Sequence, residues 1–290
     1  MTFSQLRALL AVVDEGGFTS AAERLGMAQP AISRAIRSLE EGLGGPLLVR
    51  GREGIALTEA GRRAVSHARE AVRQHDLLTA EVASAIGQVT GSLTLASFPS
   101  ATARLIPPRL RAFGDLYPQV DVHLFEGTDQ EVRDWLTRGA ADIGVVTLPC
   151  AHFDSIPLAE DELVVVLPRG HTLESEQSVT LMQVESERFI LSTGGCELMI
   201  TAAAREADVR LNVCYNAREV STILAMVGVG LGVSIVPTLA LPSGSAVSSR
   251  PLSPRLPRRL ALAMPTLQQA SPAARAFLAI SEQISASGPS

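Results

Sequence analysis

The chain has 290 residues, 46% of them hydrophobic, which is enough for two domains with sizeable cores. Its net charge of -5 excludes a generally basic protein that coats nucleic acid or a membrane. Three widely spaced cysteines (Cys150, Cys196 and Cys214), with no charged leader before an apolar N-terminal run, point to a reducing cytoplasm without a disulfide framework.

In chain order, Phe3, Leu6, Leu9, Leu10 and Val13 fall at helical spacing, predicting a first helix over residues 3–15 that ends at Gly16-Gly17. Two short helices follow, 19–25 and 28–40, joined at Gly26-Met27, with Thr19 or Ser20 as cap of the first. Ala21, Ala22, Leu25, Ile32, Ile36 and Leu39 can face inward. Gln29, Ser33, Arg34 and Arg37 then share the opposite face. Amide, hydroxyl and guanidinium groups on a compact helix pair suit the major groove of DNA. The same pattern fits an ordinary helical hairpin with a solvated face. Charge distribution adds a second sign. Residues 24–63 carry seven arginines against four glutamates, so the stretch around the helix pair is locally basic.

After Gly44-Gly45-Pro46, two short apolar runs flank Arg50-Gly51-Arg52-Glu53-Gly54. This predicts a hairpin, or wing, whose Arg50 and Arg52 could meet phosphates or the minor groove; a plain surface turn is the other reading. Thr58 then caps a long helix reaching Ile86. Leu57, Gly61, Ala64, Ala68, Ala71, His75, Leu78, Val82 and Ala85 form a heptad seam along it. The seam predicts a partner helix and a dimer, against the alternative of a helix lying on its own domain.

Beyond Gly87–Gly91 strands alternate with helices. Strands are predicted at 93–98, 120–126, 141–147, 163–168, 188–191, 211–215, 233–237 and 258–264, and a last helix at 271–284. This describes two successive α/β units with a parallel sheet, hence a bilobed domain with a cleft, followed by a disordered tail SASGPS. The apolar stretch 220–241 contains Gly228, Gly230, Gly232 and Pro237, so it reads as helix, turn and strand and not as a membrane span. The five histidines are scattered. No nucleophile–base pair, metal cluster or phosphate loop stands out, so neither an enzyme nor a cofactor is expected.

AAERLGMAQPAISRAIRSLEEGLGGPLLVR followed by LTEAG resembles the winged helix-turn-helix signature of the LysR-type transcriptional regulators. The order of wing, long helix and bilobed domain, with LIPP (105–108), ADIGVVT (141–147) and GVGLGVSIVP (228–237), is similar too. The resemblance implies an α/β protein with an all-α winged helix-turn-helix domain at 1–57 and a linker and dimerisation helix at 58–88. A periplasmic-binding-protein-like effector domain of two Rossmann-like subdomains would follow at 91–290. Its lobe I would be about 91–161 and 266–290, its lobe II about 162–265. Gln29, Pro30, Ser33, Arg34 and Arg37 on the recognition helix, with Arg50 and Arg52 on the wing, are the implied DNA contacts. The implied partners are an interrupted palindromic operator in double-stranded DNA, further copies in a homodimer or homotetramer, and a small-molecule effector. Ala28 departs from the family's common Ser or Thr, and Leu48 replaces a frequent aromatic residue.

Ligands of open α/β sheets sit beyond the carboxyl ends of strands, near helix N-termini. By position, Ser100, Thr128, Thr147 and Thr193 resemble the family's polar cleft residues, though each equally reads as a cap or turn. Together they predict a cleft rich in hydroxyls and short of charge, suited to a carboxylate or another small polar metabolite. Cys196 lies in the same neighbourhood. Some members of the family sense peroxide through a cysteine there, so a thiol switch is the alternative to ligand control. A buried bystander is the other reading, because no second cysteine follows closely.

Overall fold

The computed structural model describes residues 1–51, 54–242 and 244–286. One compact unit comprises Met1–Gly91 with Arg138–Ala140, and the second holds the remainder.

The first unit contains α1 (Phe3–Asp14), α2 (Phe18–Arg24), α3 (Gln29–Leu43), the hairpin β1 (Leu48–Gly51) and β2 (Gly54–Leu57), and α4 (Glu59–Ala85). Thr2 and Gln5 form a reciprocal capping box at the start of α1. The cap expected from Thr19 or Ser20 is absent: α2 begins one residue early, and its N-cap is Gly17 without a side-chain bond. Phe18 packs on the cluster of Ala8, Val12, Ala21, Ala22, Ile32 and Ile36, which draws the helix start forward. The buried stripe of α3 is Ile32, Ile36 and Leu39. Each such side chain, fully buried, contributes about 1.5–3 kcal/mol.

Thr58 caps α4, accepting from Gly61 N–H at 2.8 Å. Gly61 is required here because a Cβ would sit 2.1 Å from the Leu47 carbonyl oxygen. The heptad seam divides into two halves. Ala64, Ala68 and Ala71 pack with Leu6, Leu9 and Leu10 of α1, so the chain itself fills the small-residue half. The His75 ring lies 4.2 Å from that of Phe3. Only the distal half stays open, with Leu78 and Val82 66% and 61% exposed.

The second unit is built on one eight-stranded sheet. In chain order it has β3 (Gly91–Ser97), α5 (Pro99–Arg104), α6 (Ile106–Leu116), β4 (Val120–Glu126), α7 (Asp129–Thr137), β5 (Ile143–Thr147), β6 (Asp154–Leu167) and β7 (Arg188–Ser192). Then come α8 (Glu197–Glu206), β8 (Asn212–Ala217), α9 (Val220–Gly228), β9 (Val233–Pro237), β10 (Ser248–Met264) and α10 (Pro272–Ala286). The strand order is β4-β3-β5-β10-β6-β9-β7-β8. The sheet is mixed and not parallel throughout. β3 is parallel to β5, and β7 to both β8 and β9, but β10 runs antiparallel to β5 and β6.

β6 and β10 are far longer than the predicted 163–168 and 258–264. Pro157, Pro251, Pro254 and Pro257 disguise them, since proline removes a ladder donor. The pair tolerates them by slipping register between Pro251 and Leu256 and again between Leu260 and Ala261. The far end of β10 pairs with β5, whereas its first residues and the last of β6 belong with β9. These two strands therefore cross between lobes, with separate cores around Val132, Leu136 and Val146 on one side and Phe189, Ile200 and Ile235 on the other. The last helix also runs further than predicted. Ser285, expected in the tail, is helical and accepts from buried Arg109 at 2.8 Å. Residues 287–290 of that tail lie outside the described residues.

Candidate nucleic-acid interface and candidate ligand cleft

The turn at Gly26 (φ +62°) reverses the chain between α2 and α3, and Met27 N–H bonds back to the Ala22 carbonyl. This brings Gln29, Pro30, Arg34 and Arg37 to the exposed side of α3, with Ser33 half-buried beside them. Ala28 is the N-cap and makes no side-chain bond; Pro30 in the first turn carries no N–H, which reduces the uncapped donors. Glu40 anchors the wing to α3, accepting from Leu47 and Leu48 N–H at 2.7 and 3.1 Å. Arg50 lies in β1, but its side chain, like the whole of Arg52, is outside what the structure describes.

The ion pairs of this unit single out α3. Arg7 pairs with Asp76, Arg24 with Asp14 and Glu15, Arg62 and Arg63 with Glu59, Arg69 with Asp14, and Arg73 with Glu70. Among the described residues, Arg34 and Arg37 have no such partner.

In the second unit, an open recess, about 500 Å³ with the solvent at its mouth counted in, lies between the lobes. Phe98, Ser100, Asp129 and Thr147 line one side, Ser192, Gly194, Gly195, Cys196, Met199, Arg218 and Val220 the other, with Pro237 and Arg258 at the crossing strands. Gly194 lets two loops meet, since a Cβ there would lie 2.3 Å from the Arg218 carbonyl oxygen.

Of the predicted cleft residues, Ser100, Thr147 and Cys196 reach this wall, while Thr128 and Thr193 do not line it. Thr128 is committed to the start of α7, where its N–H and hydroxyl both donate to Glu131, at 2.6 and 2.9 Å. Thr193 N–H donates to the Ala217 carbonyl at 3.0 Å, part of the loop contact that positions the wall.

The expectation of a cleft short of charge is wrong. Asp129 accepts from Arg133 Nε and from Thr147 N–H, each at 2.6 Å. Arg218 reaches across to Glu131 at 3.0 Å. Hydrogen bonds from the Thr128 backbone and hydroxyl, with Arg218 nearby, hold the Glu131 carboxyl below its usual range. Deepest of all, Arg258 pairs with Asp161. Every one of these charges has an opposite partner, so the cleft is charged but balanced. Burial pushes the Cys196 thiol up, against the lowering effect of Arg258. That works against thiolate formation.

Two family models cover the chain. "Bacterial regulatory helix-turn-helix protein, lysR family" matches residues 3–62, and "LysR substrate binding domain" matches residues 87–284. The chain belongs to the LysR family. It is 37% identical to the probable HTH-type transcriptional regulator LrrA of Synechococcus elongatus, over 98% of this chain and 97% of that protein. Among solved structures, full-length OxyR from Pseudomonas aeruginosa superposes with a TM-score of 0.74 at 24% identity, covering 98% of this chain and 94% of that one. Full-length CbnR in complex with its target DNA gives 0.63 at 23% identity, covering 98% and 99%. At these identities the two structures establish the fold. The LysR assignment makes this protein a ligand-responsive, DNA-binding transcriptional regulator, from a family of regulators and not enzymes. No described helix is long and apolar enough to cross a membrane.

Proposed function

We propose that this LysR regulator acts in the cytoplasm as a homodimer or homotetramer that reads an interrupted palindrome in double-stranded DNA. Residues 1–57 form the reading head, residues 58–88 the linker helix, and residues 91–290 the effector domain. Gln29, Pro30, Ser33, Arg34 and Arg37 enter the major groove, while Arg50 and Arg52 track the backbone. The observation that carries this reading is that Arg34 and Arg37 have no ion-pair partner among the described residues, whereas Arg7, Arg24, Arg62, Arg63, Arg69 and Arg73 of the same unit each hold one. Exposed guanidinium groups without a partner among the described residues are available to guanine edges and phosphates. The exposed Leu78 and Val82 on α4 support subunit contact through the distal half of that helix.

A small polar effector, a carboxylate among the candidates, occupies the cleft beside Ser100, Thr147 and Cys196. Thr128 and Thr193 hold the loops that frame it. The effector favours one arrangement of the lobes and so one spacing of the heads, which requires unequal affinity for the two states. A thermal-shift screen of metabolites on the full chain tests this, followed by footprinting on a duplex selected by the protein. A stabilising compound that alters the footprint is the expected result. Stabilisation without any change in DNA contacts contradicts the coupling. Thiol sensing through Cys196 is the weaker alternative, given its burial; Cys196→Ala should leave any response to oxidant unchanged.

A further inference from the structure

The charged pair at the cleft floor is built from both crossing strands. Arg258 in β10 and Asp161 in β6 are direct partners in the β6–β10 register. Their side chains are only 4% and 1% exposed. Arg258 donates through Nε to Asp161 Oδ2 at 3.0 Å and through Nη2 to the same oxygen. The other oxygen, Oδ1, accepts from Leu239 N–H at 3.2 Å. The carboxylate is thus occupied on both atoms.

The guanidinium is not. Its Nη2 also donates to Ser100 Oγ at 2.9 Å, and the Phe98 ring covers it at 5.0 Å. Among the described residues, Nη1 has one partner, the Cys196 sulfur at 3.9 Å. A thiol is a weak acceptor, and it leaves most of the donor capacity of a charged Nη1 unspent. Ser100 accepts from Arg258 but donates its hydroxyl proton to no described residue. Both residues line the recess, next to the apolar surfaces of Phe98, Met199 and Val220.

Resting on the effector-cleft reading above, we propose that Arg258 anchors a monocarboxylate effector with a small apolar body. The carboxylate accepts from Arg258 Nη1 and from the Ser100 hydroxyl, and the apolar body lies against Phe98, Met199 and Val220. A charged donor with an unspent N–H favours an anionic acceptor over a neutral one, because charge-assisted bonds are about twice as strong. A cation meets the guanidinium unfavourably. A second ligand charge finds its natural countercharge already taken by Asp161. Asp161 is therefore the resident counter-ion, and the effector competes with it for one guanidinium. That competition occurs on the strands that join the lobes, so recognition acts on the hinge itself.

The test uses the full chain, with propionate, isobutyrate, hexanoate and benzoate as probes, each compared with its own amide by calorimetry and thermal shift. At least one acid should bind the wild type about tenfold or more tightly than its amide. Asp161→Asn removes the competing carboxylate and should tighten the same acid by about tenfold. Arg258→Met alone leaves a buried carboxylate uncompensated and can unfold the domain. The double variant Arg258→Met/Asp161→Asn keeps the site neutral; it should melt cooperatively and lose the preference for acid over amide. Equal binding of acids and amides, an unchanged affinity in Asp161→Asn, or a retained preference in the double variant overturns the anchor. If neutral compounds bind the cleft and alter DNA contacts, the effector cleft stands and the anchor alone falls. If no acid or amide binds any of these proteins, the anchor falls, and the cleft reading then rests on the wider metabolite screen.

Discussion

Arg34 and Arg37 leave α3 without a described carboxylate partner, whereas Arg133, Arg218 and Arg258 around the cleft each hold one. The two regions handle the same side chain in opposite ways because their ligands differ. DNA brings many phosphates, so an exposed guanidinium can wait hydrated and exchange water and counterions on contact. A cleft that takes one small molecule cannot leave several charges buried and unmatched, so they are balanced internally. A ligand at Arg258 shares a guanidinium that already has a counter-ion; on the head it meets guanidinium groups without a described one.

The contrast is broken most sharply at Arg34. If it contacts guanine in bidentate fashion, Arg34→Ala should weaken operator binding by about 1–3 kcal/mol, roughly 5- to 150-fold, with little loss on random duplex. A fluorescence-anisotropy titration on both DNAs reads the difference. Next in size is the missing cap. Ala28→Ser should supply an acceptor for the first turn of α3 and stabilise the head by about 1 kcal/mol, seen in its denaturation midpoint. Arg52→Ala should lower affinity for all DNA alike. The slope of log affinity against log salt should flatten by about 0.9, measured between 50 and 200 mM, both order-of-magnitude values.

The smallest effect belongs to the cleft. Arg218 and Glu131 are 57% and 45% exposed, so their attraction is screened and contributes at most about 1 kcal/mol. Glu131 has a depressed folded-state pKa, so its contribution is present above its unfolded value, near 4.5, and fades as pH falls through the lower folded value. Arg218→Ala should reduce that dependence slightly in acid melts between pH 3 and 6, a window set on the order of the ordinary glutamate range.

The head was legible in sequence because its information is local. Ile32, Ile36 and Leu39 set one face of α3, and Gln29, Ser33, Arg34 and Arg37 follow on the other. The cleft was only partly legible. A hydroxyl before a helix reads the same whether it caps, as Thr128 does, or faces a cavity, as Ser100 does. Arg258 and Asp161 are 97 residues apart and were missed because prolines hid the strands that pair them. A signal was available: the acidic run Glu160-Asp161-Glu162 and the pair Arg258-Arg259 each border an apolar run, as opposite-charge partners on antiparallel strands should. The seam on α4 failed in half its length for a related reason. Its period was correct, but periodicity does not say whether α1 or a second subunit fills the groove.

The most direct test selects duplexes from a random pool with the wild-type chain and then titrates the enriched sequence against wild type and Arg34→Ala. An interrupted palindrome should be enriched, with a loss of roughly 5- to 150-fold in Arg34→Ala confined to that sequence. No enriched sequence, or equal binding by both proteins, would contradict this.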